Sequence, residues 1–562
     1  MLLKHSYLTS QLIAYIGNKR RLLGLLYKSI STIYSDNIPS GLQFIDPFAG
    51  SGIVPRLAKK LNFEVHANDW EDYSFIINRA YLSINKSDIL ILFGSTRELS
   101  GLLDHFNNLP DPHEDEQYVA KYYAPPTFDI DKVDFRKERL FYTRENALAI
   151  DKIRNEIDRL FPPNDTSEGN QKIRQLLIAL LLYEAATHTN TSGVFKACHK
   201  GFGGHNKDAL TRILAPIKLR YPCLCDSDYP CVVYKEDANE LEKNESLGYF
   251  DVAYLDPPYN QHQYGSNYHL LNTIAVWDKI PAPLELNDKG VLRDKAAIRK
   301  DWIETRSDYC YKVKAEAAFK DLIESIRAHY IIVSYSTDGI IPFEDVKDIC
   351  ADKGDVNILT NEYVKYRGGK QSNGRSNLNI EYVLIIDSEK KVSKRSLAHV
   401  DKTILLQKVL LLFKKRYSKS KLSNRFDLIE SDSSVERDIQ GKRIKLDTQD
   451  FFELTPPDYI DELSIQTLKE LYDCLSLSVC ETKEEELQEI MNKLDGSIEK
   501  NHQYIKLIPD TLRKLAHKKY KEIFLSWLKH VKNLEEEYPE SYALIDSKVR
   551  AVEEQAYKRF SN

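Results

Sequence analysis

Tyr249-Phe-Asp-Val-Ala-Tyr-Leu-Asp256-Pro-Pro-Tyr259 decides the fold class of this 562-residue chain. Its first seven residues form an apolar run rich in β-formers and bounded by turn residues, the pattern of a buried strand. Pro257 and Pro258 cannot continue a ladder, so the chain must leave the sheet at the strand's carboxyl end. In open α/β sheets that is where ligands bind. The turn presents the Asp256 carboxylate, the stiff Pro257 carbonyl and the Tyr259 ring. Together these supply two acceptors for the hydrogens of an NH2 group and an aromatic face for the flat group that carries it. A surface turn that merely contains Pro-Pro-Tyr is the alternative, and the rest of the chain weighs on that choice.

Upstream, Leu42-Gln-Phe-Ile-Asp46-Pro-Phe48-Ala-Gly50-Ser-Gly52 reads as a short strand ending in an acid, then a glycine turn, then a helix. Gly50 and Gly52 let backbone approach a ligand closely, and the helix that follows offers free N–H groups to a negative group. About 20 residues on, a second strand, Glu64-Val-His-Ala-Asn68, ends in Asp69, an acid placed to take ribose hydroxyls. The glycine spacing is not Gly-x-Gly-x-x-Gly, which favours a single nucleoside-like cofactor over a dinucleotide. Val232-Val-Tyr-Lys-Glu-Asp237 repeats the strand-then-acid pattern. Before all of these, Tyr15-Ile-Gly17-Asn-Lys19 is a loop entering an amphipathic helix.

The strand–helix rhythm lapses over residues 89–229, which hold an acidic, proline-containing loop, helical stretches near 144–160 and 173–186, and a glycine-rich polar segment. This reads as a domain inserted between a first core part (1–88) and a second (230–388). Cys198, His199, Cys223, Cys225 and Cys231 fall in or beside it, but Cys-x-Cys without a second clean pair fits structural zinc poorly, so free thiols and no metal are expected. Two strand-like segments, 357–363 and 381–386, flank a loop carrying Lys365, Arg367, Lys370 and Arg375 and no acid. That composition grips phosphates and base edges, or simply faces solvent. The run 260–269 after Tyr259 is expected to line the target pocket. Residues 396–562 show recurring helical patterns after a low-order stretch reaching about 449, and no chemical motif, so a helical accessory domain is expected.

Composition sets broad limits. Eight cysteines in a chain of this length do not make a disulfide scaffold, and the polar-interrupted amino terminus has no signal-like apolar region. No apolar run approaches a membrane span, so a cytoplasmic protein with no membrane partner is the default. The net charge of −5 argues against a wholesale polyanion binder but allows a local basic groove.

The order Tyr-x-Gly-x-Lys, Asp-Pro-Phe-x-Gly-Ser-Gly, Asn-Asp and a distant Asp-Pro-Pro-Tyr resembles the Dam-type, alpha-class DNA adenine-N6 methyltransferases. The Asn-x-x-Gln-Tyr-x-x-Asn-Tyr-His run after it resembles modification enzymes of type II restriction systems. The resemblance, which covers roughly residues 15–386, implies an α/β, Rossmann-like methyltransferase fold with S-adenosylmethionine as cofactor and duplex DNA as substrate. A cognate restriction endonuclease is the protein partner it suggests. It further implies that Tyr15, Gly17 and Lys19 close the cofactor pocket, and that Asp46, Phe48, Gly50 and Gly52 wrap the methionine and adenosine. Asp69 would take the ribose and Asp237 would face the cofactor's adenine. Asp256, Pro257, Pro258 and Tyr259 would hold the flipped target base. The 193–204 segment only loosely echoes the family's recognition element. Related enzymes acting on RNA adenine more often carry Asn at the position of Asp256, and those acting on cytosine N4 more often Ser; a catalytically silent DNA-binding scaffold is the remaining alternative.

Overall fold

Seven strands form one sheet in the order β3-β2-β1-β4-β5-β7-β6 in the computed structural model, which describes residues 2–204, 207–361, 379–429, 433–494 and 497–561. In chain order they are β1 (Gln43–Asp46), β2 (Glu64–Asn68), β3 (Cys231–Tyr234), β4 (Phe250–Leu255), β5 (Ala328–Ser336), β6 (Asp355–Asn361) and β7 (Glu381–Asp387). The first five run parallel; β7 lies antiparallel between β5 and β6. β4 is buried along its length except at Asp251, as a strand covered on both faces must be. Asp251 is itself useful, since its carboxylate accepts the Gln43 N–H at 2.8 Å and ties β4 to the start of β1.

Strand order reverses between β1 and β4, because the chain steps outward from β1 to β2 and β3 and then returns to β1's other side. Crossover segments on either side of such a point diverge and leave a crevice at the carboxyl ends. Asp46 is the last residue of β1, and Asp69, Asp237 and Asp256 follow the ends of β2, β3 and β4 by one, three and one residues. The expected α/β character and mostly parallel sheet are therefore present.

Part of the 89–229 segment shares the core of the sheet. The helix Glu168–His188 packs on the helix Asp72–Leu82 that follows β2, and its buried Leu176, Leu180 and Leu181 join the same hydrophobic cluster as Phe44, Val65 and Val252 of the sheet. A small cluster of Leu140, Phe202 and Ile213 is separate from it. The chain divides into two compact units, residues 1–397 and 398–562. The second unit departs from the purely helical expectation: β8 (Asp427–Ile429), β9 (Ser434–Ile439), β10 (Lys442–Gln449) and β11 (Glu453–Thr455) form an antiparallel sheet in the order β11-β10-β9-β8. The stretch reads as low in order because its short strands carry many charged residues. Val435, Ile439, Ile444 and Leu446 are nonetheless fully buried. The helices Ile508–Leu515, Lys521–Glu537 and Asp546–Phe560 surround a separate cluster containing Leu512, Phe524 and Val549. No described helix is long and apolar enough to cross a membrane.

Candidate active site

A cavity of about 790 Å³, counting its open mouth, lies at the carboxyl ends of β1, β2, β3 and β4. Its wall includes Pro47 and Phe48 after β1, Asn68 to Glu71 at β2, Glu236 to Ala238 after β3, and Asp256 to Tyr259 after β4. Asn68 joins three of these ends. Its amide donates to the Pro47 carbonyl at 3.1 Å and the Glu236 carbonyl at 3.0 Å, and its oxygen accepts the Glu236 N–H at 3.0 Å. One buried side chain thus sets the spacing of the turns that line the cavity.

The carboxylates on the β1–β3 side are held by backbone. Asp46 accepts the Phe48 N–H at 2.9 Å; Asp69 accepts Gly50 N–H at 2.8 Å and Glu71 N–H at 2.9 Å. Asp237 caps the short helix behind it, accepting Asn239 N–H at 2.9 Å and Glu240 N–H at 3.3 Å. Burial raises Asp69 above the usual carboxylate range even though these N–H groups pull it down. Glu71, 5% exposed, is pushed up to about 7 by burial, offset by hydrogen bonds from Asn272 and Thr305. Gly50 has φ +51°, and a Cβ there would stand 2.9 Å from the Tyr15 ring, so the turn that feeds Asp69 its N–H needs glycine.

Tyr15 is the centre of an aromatic stack. Its ring lies 5.1 Å from that of Tyr264 and 4.9 Å from that of Tyr268, both nearly parallel to it. The Tyr264 hydroxyl donates to the Ile16 carbonyl at 3.3 Å, and the Ile16 N–H donates to the Tyr268 hydroxyl at 2.7 Å. The amino-terminal loop is in this way fastened to the segment after Tyr259, some 250 residues later. Gln263 braces the opposite wall through both ends of its amide, donating to Ser307 O at 3.0 Å and accepting Ser307 N–H at 2.9 Å. Phe48 meets Tyr309 edge-on at 5.4 Å, forming a narrow aromatic slot beside Asp237.

Asp256 is held differently. Its Oδ1 lies 3.0 Å from Nζ of Lys19, a lysine only 4% exposed, and the same Nζ is 3.8 Å from Oε2 of Glu381 at the start of β7. The Lys19 ammonium also lies 5.4 Å from the centroid of the Tyr259 ring. Burial works against the Lys19 charge, but Asp256 and Glu381 outweigh it and hold Lys19 well above the ordinary lysine value. Burial lifts Asp256 to about 6, Lys19 opposing and Glu381 reinforcing the rise. The Tyr259 carbonyl accepts the Ile340 N–H at 3.0 Å, which ties the Asp-Pro-Pro-Tyr turn to the loop after β5.

The family model for D12 class N6 adenine-specific DNA methyltransferases matches residues 15–331. The chain belongs to that family. It is 32% identical over 375 residues to the type II methyltransferase M.NlaIII of Neisseria lactamica, covering 66% of this chain and 98% of that protein. It is 30% identical over 382 residues to the type II methyltransferase M.FokI of Planomicrobium okeanokoites and 30% identical over 378 residues to the modification methylase LlaI of Lactococcus lactis subsp. lactis. The matches cover 67% and 66% of this chain but only 52% and 54% of those two relatives.

Within this methyltransferase the cavity brings together Tyr15, Gly17, Phe48, Asp69, Asp237, Asp256, Pro257, Pro258 and Tyr259. Lys19 pairs with Asp256 without lining the cavity; Asp46 and Gly50 hydrogen-bond the lining residues Phe48 and Asp69, and Gly52 is not among the lining residues. Lys365, Arg367, Lys370 and Arg375 lie outside the described residues. Of the run 260–269, Tyr264 lines the cavity, whereas Gln263 and Tyr268 act as braces and His269 is buried, with Nε2 3.0 Å from the Phe195 carbonyl. Sequence reasoning missed Trp70, Glu71, Glu236, Thr305, Ser307 and Tyr309 in the wall. The first three adjoin strand-end acids and were recoverable from that position. The last three come from a loop with no motif, and nothing local marks them. Among the described residues, no group of three His, Cys, Asp or Glu side chains is placed to hold a metal ion.

Proposed function

We propose that this chain binds S-adenosylmethionine in the strand-end cavity and methylates N6 of an adenine rotated out of duplex DNA, serving as the modification enzyme of a restriction–modification system. One observation carries the cofactor assignment. Five carboxylates line the cavity (Asp69, Glu71, Glu236, Asp237 and Asp256), and no lysine or arginine is among the described lining residues. Such a wall favours a ligand bearing positive charge, as a sulfonium with an α-ammonium group does. Gly17, at φ +76°, takes a left-handed backbone conformation that favours glycine in the loop beside Tyr259 and Tyr264. Phe48, Tyr309 and Asp237 would take the cofactor's adenine, and Asp69 its ribose. The bound sulfonium supplies an activated methyl group, so no protein nucleophile is needed.

A duplex adenine reaches the sheet edge only by leaving the stack. The Asp256 carboxylate and Pro257 carbonyl would then accept its two N6 hydrogens, and the Tyr259 ring would lie against the base. Two acceptors on one NH2 direct the nitrogen lone pair toward the incoming methyl. The nitrogen becomes acidic once alkylated and gives up its proton afterwards, so Asp256 orients the amine rather than abstracting from it. Residues 89–229 would read the flanking sequence, and Lys365, Arg367, Lys370 and Arg375 would grip phosphates. A cognate endonuclease would share the recognition site. Incubation with radiolabelled S-adenosylmethionine and either duplex DNA or RNA, followed by nucleoside separation, tests the reading. Label in N6-methyladenosine from RNA or in N4-methylcytosine would replace it with another exocyclic amine, and no label in either polymer would leave a silent scaffold.

A further inference from the structure

We infer that Glu381 is a positioning residue for the methyl-transfer step, acting on Asp256 through the buried Lys19 ammonium they share. Glu381 lies beyond the region matched by the family model, in the antiparallel strand β7, and is 125 residues from Asp256 in sequence. It is nonetheless fixed close to the reacting end of the cavity. Its backbone pairs with Ser336 of β5 on one side and Asn361 of β6 on the other. Just before it, Ile380 exchanges hydrogen bonds with Thr337, N–H to Oγ1 and carbonyl to N–H, both at 3.0 Å. The side chains of Lys19 and Glu381 are 5% and 9% exposed, and that of Asp256 is 17% exposed toward the cavity.

A lysine paired to Asp256 alone would form a neutral couple, and its N–H groups would compete with the adenine amine for the carboxylate. Glu381 changes this balance. With two carboxylates within 4 Å of one ammonium, the pull of Lys19 is divided between them. Asp256 then keeps acceptor strength for N6, while Lys19 still fixes its orientation. The Asp256 carboxylate is then in place when the alkylated nitrogen becomes cationic, and a preorganised charge of that kind lowers the barrier without reorganisation. The groups bearing electrostatically on Asp256 are Lys19, Glu381, Asp46, Tyr254, Tyr259 and Tyr264. Of these, Glu381 is a carboxylate on the same ammonium, and it moves Asp256 upward.

The inference rests on adenine methyl transfer as the reaction of this site, and the wild-type assay on duplex DNA tests that separately. Single-turnover rates measured from pH 5 to pH 8, with prebound cofactor, test Glu381 itself. Asp256 must be ionised to accept, so wild-type activity is lost as pH falls through its pKa. E381Q removes the charge that raises Asp256, so its acid limb should move down by about one pH unit. Its plateau should fall by about tenfold, the equivalent of one pKa unit of interaction. Cofactor affinity by calorimetry should stay within about twofold of wild type, since the exchange is remote from the adenosine slot. E381D should fall between the two. An E381Q limb coincident with the wild-type limb overturns the assignment, even if the plateau drops. Should E381Q fail to fold on a thermal melt, E381D carries the test, and an unshifted limb in that variant overturns it equally. Glu71, near 7, titrates in every variant and does not contribute to the difference.

Discussion

The two sides of the cavity solve the problem of keeping a carboxylate in a crowded site in opposite ways. On the β1–β3 side, Asp46, Asp69 and Asp237 are held by backbone N–H groups of their own turns. On the β4 side, Asp256 is held by a buried side-chain cation brought from residue 19. Backbone dipoles steady an acid without a counter-charge, while burial raises Asp46 and Asp69. A full counter-charge cancels that of the acid, which is why a second carboxylate on the same lysine matters at Asp256. In the proposed function, the β1–β3 half serves binding and the β4 half an adjustable acceptor.

The sharpest way to break that comparison is Asp256→Ala. It should abolish methyl transfer to DNA, by about three orders of magnitude or more, while cofactor affinity measured by calorimetry changes by less than about threefold. A large loss of cofactor affinity would show that the two halves are not separable. The same change leaves Lys19 buried beside Glu381 alone, and breaking a buried pair costs about 3–5 kcal/mol, so a lowered melting temperature should accompany it.

Asp69→Ala should do the reverse. Two backbone donors, Gly50 N–H and Glu71 N–H, lose their acceptor. Each unsatisfied donor costs about 1–3 kcal/mol, and cofactor affinity should drop by about tenfold or more with the single-turnover rate at saturation much less affected. An unchanged dissociation constant would remove Asp69 from the binding half. A smaller effect is expected where neither half is touched. Replacing Arg367 and Arg375 together by Ala should reduce the slope of log affinity for DNA against log salt by about two, with cofactor affinity as in wild type. A slope identical to wild type would return that loop to solvent.

Much of this was legible because each signal is local. A strand that ends in Asp and two prolines must turn out of its sheet, and Asp46, Asp69 and Asp237 each follow a short β-forming run. The backbone rules acting on adjacent residues placed all four acids at strand ends, and parallel strands bring such ends to one edge. What the 89–229 segment packs against was not legible, since an apolar helix such as Glu168–His188 is compatible with a core of its own or with the core it shares. The antiparallel sheet of residues 427–455 was obscured because its short strands carry many charged residues. Neither Lys19 on Asp256 nor Glu381 behind it could be read from the chain. Those three residues lie in separate parts of the sequence, and only the reversal of strand order and the insertion of β7 beside β5 bring them within 4 Å of a common ammonium. Which acids stand at the cavity was set by neighbouring residues; the charge that one of them carries was set by partners that only tertiary packing could choose.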